Sequence, residues 1–396
     1  MKFDIWKECP KVPLPSVLLT VVDNRGKTVP TAPSGHKLIA TNCVRNENLY
    51  PVYEKIRYLS EETYRTWFRA HPEPGDIIFV CKGTPGRVCL VPDPIDFCIA
   101  QDMVALRADP KIVYNKYLLA VLRSFQIQEQ ILSTSVGDVI PHFKKSFFDQ
   151  IMIPIPNMDI QKSIGDFYYT ISEKTELNKK INDNLQQQAF AFFDRLMIEA
   201  DNDDCIVSDY ADLNPRRVLA KHQIARSIDM SQLSTSGAFP SGWEMKPFNG
   251  GMRFANGDTL LARITPCLEN GKTAFIDFLD EGEVAFGSTE YIVLAPRKNV
   301  PSEMLYCLAR YPAFVDYAVK NMNGSSGRQR VSAETIGQFR LPKFDEQSLL
   351  KFGEAVKPMF LKMRYNSLEN IRLAELRDAL LPKLMSGEID VSTIQL

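Results

Sequence analysis

The apolar and polar positions of this chain follow one order twice. In each half, short apolar runs separated by glycines and prolines predict the strands of a small, irregular sheet. Ile-Ile-Phe-Val at 77–80 and Tyr-Ile-Val-Leu at 291–294 are such runs. Apolar residues with helical spacing follow at 114–132 in the first half and at 304–317 in the second. The pattern therefore predicts two similar modules of mixed strand and helix.

Short motifs mark the same repeat. Gly-Asp-Ile-Ile at 75–78 returns as Gly-Asp-Thr-Leu at 257–260, and Ile-Pro at 153–154 returns as Leu-Pro at 341–342, 188 positions later. An internal repeat decides how the whole fold is read. A chain that repeats a module and a spacer can bind a target with two separated parts.

A long polar helix is predicted after each module. No proline occurs from 160 to 200, and about 40 helical residues would make a rod of roughly 60 Å. Asp-Asn-Asp-Asp at 201–204 is expected to break this helix and form a linker. A heptad seam, whose apolar members require a partner helix, runs through Ile164, Phe167, Ile171, Lys174, Asn178, Ile181, Leu185, Gln188 and Phe192.

The closing helix has a similar length, so we expect the two helices to pack as an antiparallel pair. The alternative is that each helix folds back on its own module. Pro358 lies inside the closing helix and should either kink it or stand at its first position. Ser-Gly at 386–387 is a stop signal. The apolar positions of this helix are Leu349, Phe352, Val356, Met359, Met363, Leu368, Ile371, Leu376, Leu380 and Leu384.

Composition restricts the class of protein. The 396 residues are 45% hydrophobic and 24% charged, which is typical of globular chains with more than one domain. The eight cysteines form no Cys-x-x-Cys pair, so we expect reduced thiols and no zinc site. No apolar signal segment or membrane-spanning run is apparent, so a cytoplasmic location with no membrane partner is expected.

The charge is divided along the chain although it sums to −1. Formal charges are +3 over 1–158, −5 over 159–204, +2 over 205–344 and −1 over 345–396. The modules are therefore mildly basic and the helices acidic, which suits a nucleic-acid partner. An ordinary solvated surface would give the same division.

Motifs for catalysis or cofactors are incomplete. Gly-Lys-Thr at 271–273 lacks the upstream glycine of a phosphate-binding loop, because Pro266 stands there. Asn-Pro-Arg-Arg at 214–217 lacks the second proline and the aromatic of an amino-methyltransferase motif. No Gly-x-Gly-x-x-Gly follows a strand, and the four histidines form no metal or triad pattern. We therefore expect a binding protein with no cofactor, no metal and no catalytic residue.

Two loops are candidates for DNA contact. Residues 139–145 end in Pro-His-Phe-Lys-Lys, after a Ser-Thr-Ser-Val-Gly segment that begins at 133, and residues 323–332 occupy the matching place in the second module. Such loops bring cations to phosphates, or Arg and Gln to base edges. A solvated surface turn is the alternative for each. The candidate residues are His142, Lys144, Lys145, Ser325, Arg328, Gln329 and Arg330.

A second basic pair recurs on the strand-turn-strand unit of each module. Lys82 and Arg87 flank Gly-Thr-Pro-Gly at 83–86, and Arg263 and Lys272 flank the corresponding turn. We interpret these four residues as further DNA-contact candidates. Their alternative role is to keep an exposed hairpin soluble.

Several segments together resemble a known family. The duplicated arrangement and the closing decapeptide are similar to the specificity (S) subunits of type I restriction–modification systems, over essentially the whole chain. The matching segments are Gly-Asp-Ile-Ile-Phe at 75–79, Ile-Pro-Ile-Pro at 153–156, Ile-Gln-Lys-Ser-Ile at 160–164 and Leu-Leu-Pro-Lys-Leu-Met-Ser-Gly-Glu-Ile at 380–389.

The resemblance implies an α+β fold with a pseudo-two-fold internal repeat. The expected parts are a first target recognition domain at 1–157, a spacer helix at 158–202, a second recognition domain at 203–343 and a second spacer helix at 344–396. The helices would form an antiparallel coiled coil that separates the two domains. Each domain would read one half of a bipartite site in double-stranded DNA, and helix length would set the unread gap.

The resemblance also implies partners. Two methyltransferase (M) subunits would dock on the chain and restriction (R) subunits would join, so that methyl transfer, ATP use and cleavage belong to them. Pro-His-Phe at 141–143 differs from Gln-Arg-Val at 329–331, which predicts two unlike half-sites. Three other functions remain open: recognition in a methylation-based defence complex without a nuclease, an enzyme with an unmarked hydrolytic site, and a scaffold that joins two proteins.

Overall fold

The computed structural model describes residues 3–24, 27–135, 141–325 and 327–390. The chain falls into two units. The first comprises residues 1–176 and 373–396, and the second comprises residues 177–372. Both long helices therefore contribute to both units.

The first unit contains nine strands, four short helices and the start of a long helix, in the described residues. The strands are β1 (Lys11–Pro13), β2 (Leu18–Val22), β3 (His36–Ile39), β4 (Arg57–Leu59), β5 (Ile77–Val80), β6 (Val88–Leu90), β7 (Phe97–Ile99), β8 (Met103–Ala108) and β9 (Met152–Pro154). The helices are α1 (Ile5–Glu8), α2 (Glu61–Thr66), α3 (Asn115–Leu122), α4 (Phe125–Thr134) and α5 (Met158–Glu199).

The second unit repeats this order. Its strands are β10 (Asp201–Ile206), β11 (Ala211–Leu213), β12 (Ile224–Ile228), β13 (Glu244–Pro247), β14 (Met252–Phe254), β15 (Thr259–Ala262), β16 (Thr273–Phe275), β17 (Ala285–Gly287), β18 (Tyr291–Pro296) and β19 (Arg340–Lys343). Its helices are α6 (Val207–Tyr210), α7 (Ser302–Arg310), α8 (Pro312–Lys320), α9 (Ala333–Gly337) and α10 (Glu346–Met385).

Sheet topology confirms the internal repeat. Each unit has a four-stranded sheet with equivalent connections, in the orders β2-β8-β5-β6 and β11-β18-β15-β16. Each also has a second sheet with one parallel pair, β3 with β7 and β12 with β17. This sheet has three strands in the first unit and four in the second. A two-stranded antiparallel pair, β1 with β9 and β10 with β19, brings the end of each module back to its start. The predicted α+β repeat is therefore correct.

The central strand of each large sheet is buried on both faces. In β5 the side chains of Ile77 and Phe79 enter the core beneath the helices, whereas Ile78 and Val80 enter a second core against the smaller sheet. Alternate strand residues point to opposite faces, so one continuous apolar run serves two cores. This double burial fixes the strand and hence the turn that follows it.

The two long helices pack against each other as an antiparallel pair. Within the second unit, Asn178 Nδ2 donates to Glu369 Oε2 at 2.6 Å, and Asn182 Nδ2 donates to Ser367 Oγ at 3.1 Å. Asn366 Nδ2 donates to Asn182 Oδ1 at 2.8 Å. Residues later in α5 therefore contact residues earlier in α10, as the predicted antiparallel packing requires. Within the first unit, Ile164, Phe167 and Ile171 share one core with Leu381 and Leu384.

The buried seam departs from the predicted heptad beyond Asn178. There Gln188 and Phe192 are exposed, while Ala189 and Phe193 are buried one position later; Lys174, before Asn178, is also exposed. An α-helix has 3.6 residues per turn, so a strict seven-residue repeat drifts by about 20° per heptad. Over four heptads the drift moves the buried face by nearly one residue. The prediction was wrong there because it assumed an exact 3.5-residue period.

Two other expectations are corrected. The acidic segment 201–204 is not a linker, since it lies in β10, which pairs with β19. Pro358 does not begin a helix, because α10 starts at Glu346 and passes through it. The pairing of β10 with β19 outweighs the local preference of the acidic residues for a loop.

A glycine sets the distance between α5 and α3 in the first unit. A Cβ atom on Gly165 would stand 2.6 Å from the backbone nitrogen of Tyr117. The equivalent Gly353 of α10 faces the Pro301 ring, with the nearest atom at 3.1 Å. Both helices therefore approach their neighbours closely at matching positions of the repeat.

Candidate nucleic-acid interface

The basic loop of the first unit joins the turn after β5. Lys82 and His142 form an antiparallel β-bridge. Gly83 N donates to Pro141 O at 2.9 Å, and Phe143 N donates to Cys81 O at 2.8 Å. The structure therefore brings together two segments that the sequence predicted separately. Lys82 and His142 are both exposed.

An aromatic anchor holds this loop. Phe143 is fully buried, and its ring centroid lies 5.8 Å from that of Phe79 and 5.6 Å from that of Phe148. Aromatic contacts of this kind stabilise beyond their buried area. The neighbouring His142 and Lys144 are thereby presented outward on a fixed backbone.

The remaining basic residues of this unit differ in their surroundings. Lys144 is exposed, with its Nζ 5.8 Å from the ring centroid of Phe147. Lys145 is ion-paired with Asp23. Arg87 is half-buried beside β6, and its backbone nitrogen donates to Thr84 O within the turn. Residues 136–140 of the predicted loop lie outside the described residues.

The second unit places its basic loop in the same way. Ile264 and Arg330 form a bridge, at positions equivalent to Lys82 and His142. Thr265 N donates to Gln329 O at 3.1 Å, and Val331 N donates to Arg263 O at 3.0 Å. Val331 is fully buried. A buried anchor therefore follows the bridge residue in both units.

An ion pair fixes Arg330. Its Nη2 lies 2.6 Å from Glu290 Oε1, and its Nε lies 2.9 Å from Glu290 Oε2. Hydrogen bonding to this guanidinium lowers the pKa of the Glu290 carboxyl below its ordinary value. The carboxylate therefore stays charged at neutral pH, and the guanidinium fork keeps one orientation.

The other candidates of the second unit have distinct environments. Ser325 and Arg328 are exposed, and Arg328 N donates to Ser325 O at 3.0 Å within the loop. Gln329 is half-buried, and its backbone nitrogen donates to Thr265 Oγ1 at 3.1 Å. The neighbouring Ser326 lies outside the described residues.

Two basic residues face inward more than the sequence suggested. Arg263 is half-buried, and its Nε has no hydrogen-bond partner among the described residues. Lys272 Nζ donates to the carbonyl of Met230 at 2.6 Å. A cation held by a backbone carbonyl must break that bond before it contacts a phosphate.

Sequence reasoning missed the acidic partners of this region. Glu290 lies 40 residues before Arg330, and no motif links the two residues. The repeated Gly-Asp pair is structural, because Asp76 accepts two hydrogen bonds from Arg107 at 2.9 Å and Asp258 is ion-paired with Arg217. Burial raises the pKa of Asp258 to about 6, although Arg217 opposes the shift.

Some kinds of site receive no support in the part of the chain that the structure describes. There, no group of three or more His, Cys, Asp or Glu side chains is placed to hold a metal ion. The eight cysteines are free thiols, and burial raises the pKa of Cys89 to about 12. None of the helices in the described ranges has the length and apolar character needed to cross a bilayer.

Comparisons with known proteins agree on one family. A model described as type I restriction modification DNA specificity domain matches residues 32–187. The type I restriction enzyme HindI specificity subunit of Haemophilus influenzae is 21% identical over 398 residues, which cover 80% of this chain and 86% of that protein. The EcoAI specificity subunit of Escherichia coli is 34% identical over 128 residues, which cover 31% of this chain and 21% of that protein.

A solved structure shares the fold. The crystal structure of the type I restriction–modification S subunit from M. genitalium matches with a TM-score of 0.54 at 18% identity, covering 97% of this chain and 98% of that one. The duplicated modules and paired helices define a two-part binding protein. The chain is similar to the specificity subunits of type I restriction–modification systems over most of its length.

Proposed function

We propose that this chain is the DNA sequence-recognition subunit of a type I restriction–modification complex. One observation carries the proposal within the family. In both units an exposed, basic loop is bridged at the same place to the turn of the central hairpin. The recognition domains would be residues 1–157 and 203–343, and the spacer helices would be residues 158–202 and 344–396.

The proposed DNA site is bipartite and asymmetric. The two bridge residues occupy equivalent places but differ in chemistry, since one is His142 and the other is Arg330. Arginine offers a planar fork to adjacent acceptors, whereas a neutral histidine offers one donor and one acceptor. Unlike side chains at matching positions would select unlike half-sites.

The proposed chemistry belongs to partner subunits. Methyltransferase (M) and restriction (R) subunits would dock on the chain and supply methyl transfer, ATP use and cleavage, and the chain itself would be non-catalytic. The names of the relatives, which call them specificity subunits, support this division of labour. Such a complex would work in the cytoplasm.

DNA binding as a function of salt tests the proposal. Each phosphate neutralised by a cation contributes about 0.9 to the slope of log K against log salt. We expect Lys144→Ala and Arg328→Ala each to lower the slope by about one contact. The matched control is Arg195→Ala, because Arg195 is an exposed cation of α5 that is ion-paired with Glu199.

Two results would contradict the proposal. One is binding whose slope is the same for both loop variants as for the unmodified protein, since the loops would then make no phosphate contact. The other is methyl transfer or DNA cleavage by the isolated chain, since the chemistry would then not belong to partners.

A further inference from the structure

We infer that Arg330 is a pre-oriented base reader that recognises two adjacent hydrogen-bond acceptors on a base edge, as guanine presents in the major groove, and that Glu290 is its positioning residue. The inference rests on the proposed DNA-recognition function and deepens it. It assigns one base preference to one side chain of the second unit.

The contacts of the Arg330 guanidinium leave one of its edges available to a ligand. Arg330 Nε donates to both oxygens of Glu290, at 3.0 and 2.9 Å, and Nη2 donates to Oε1 at 2.6 Å. Nη1 donates to the carbonyl of Arg328 at 3.1 Å. A guanidinium carries five N–H donors. These contacts occupy three of them and leave one N–H on Nη1 and one on Nη2, which are the two donors that would bond guanine O6 and N7.

The backbone under this side chain is fixed as well. Arg330 N donates to Asn323 O and Asn323 N donates to Arg330 O, both at 2.9 Å. The next residue, Val331, is buried in the core. A side chain that is ordered before binding loses little conformational entropy when it meets its target.

Charge distinguishes a base reader from a phosphate contact. Glu290 neutralises much of the Arg330 charge and would repel a phosphate nearby, so Arg330 is poorly suited to bind the DNA backbone. Base readout depends on donor geometry, and the Arg330 side chain remains 39% exposed. Arg328 is the exposed cation of the same loop and suits a phosphate better.

The first unit has a different side chain at this place. His142 stands where Arg330 stands, at the end of an equivalent β-bridge. An imidazole cannot donate the two parallel hydrogen bonds of a guanidinium fork. The inferred guanine preference therefore applies to the half-site read by the second unit alone.

Selection from a library of randomised DNA duplexes tests the inference on the full chain. We expect the unmodified protein to enrich a bipartite motif with one strongly preferred guanine in one half. Arg330→Lys keeps the charge but loses the fork, so it should reduce discrimination at that position by about tenfold or more. Glu290→Gln should reduce discrimination at the same position by several-fold. Arg328→Ala is the matched control, and we expect it to weaken binding to all sequences without changing the motif.

The outcomes separate the inference from the proposed function. If the unmodified protein enriches no motif, the proposed function fails. If it enriches a motif that Arg330→Lys leaves unchanged, the function stands and the inference is overturned. Loss of the entire half-motif in Arg330→Lys or Glu290→Gln would also overturn it, because the ion pair would then only shape the loop. Retention of the other half-motif shows that each variant is folded.

Discussion

Replacing Gly165 by alanine tests how closely α5 approaches α3 in the first unit. Alanine is favoured over glycine within a helix by about 1 kcal/mol, so helix propensity alone predicts a more stable protein. The added Cβ would instead stand 2.6 Å from Tyr117 N and 3.0 Å from Lys116 C, which are backbone atoms that cannot rotate away. Forcing extra atoms into a packed site costs about 1–3 kcal/mol.

The clash should outweigh the propensity. With a steric cost near the upper end of that range, we expect Gly165→Ala to lower the free energy of unfolding by about 2 kcal/mol. Gly353→Ala is the matched control, because its Cβ meets only the Pro301 ring at 3.1 and 3.3 Å. Slight movement of that ring would relieve the contact, so the control variant should differ from the unmodified protein by less than about 1 kcal/mol.

Urea unfolding followed by circular dichroism measures this difference, and hydrogen exchange locates it. We expect amide protons of α3 to exchange faster in Gly165→Ala and at an unchanged rate in Gly353→Ala. A Gly165→Ala protein as stable as the unmodified one, or more stable, would refute the reasoning. The close approach of the two helices would then not restrict this position.

Three other predictions follow from buried groups. The raised pKa of Asp258 stabilises the fold at low pH. Its contribution to the free energy of unfolding, up to about 3 kcal/mol, should therefore be lost as the pH rises from about 4 through about 6. A stability difference between Asp258→Asn and the unmodified protein that stays constant over this range would contradict this prediction. Asn178→Ala removes a buried hydrogen-bond donor to Glu369 and should lower the free energy of unfolding, measured in urea, by about 1–3 kcal/mol. An unchanged free energy would show that this hydrogen bond adds no stability. Tyr117→Phe deletes the 2.8 Å hydrogen bond to Pro154 O and should cost about 1 kcal/mol, measured by the same assay; an unchanged midpoint would count against it.

The repeat was predictable because it is recorded in local patterns. Apolar runs of strand length, the Gly-Asp turns and the proline-free helix all depend on residues close in sequence. The basic loops were found in the same way, from composition and from their equal place in the two modules. What each basic side chain does could not be predicted in this way.

The sequence-based predictions failed for residues whose partners in the fold are distant in the sequence. The acidic start of β10 resembles a linker, yet its backbone pairs with β19, which lies about 140 residues away in the sequence. Glu290 reaches Arg330 only because the end of β17 and the start of β18 lie beside the loop in the fold. Lys272 turned out to contact the carbonyl of Met230, a partner that no sequence spacing indicates.

The alternation of anchor and bridge residue along each loop has an evolutionary consequence. Phe143 and Val331 hold their loops from inside the core, while His142 is exposed and the Arg330 side chain remains 39% exposed. A mutation at position 142 or 330 therefore alters the outward side chain and leaves the packing of its neighbour intact. New target preferences can accumulate one unit at a time on an unchanged framework.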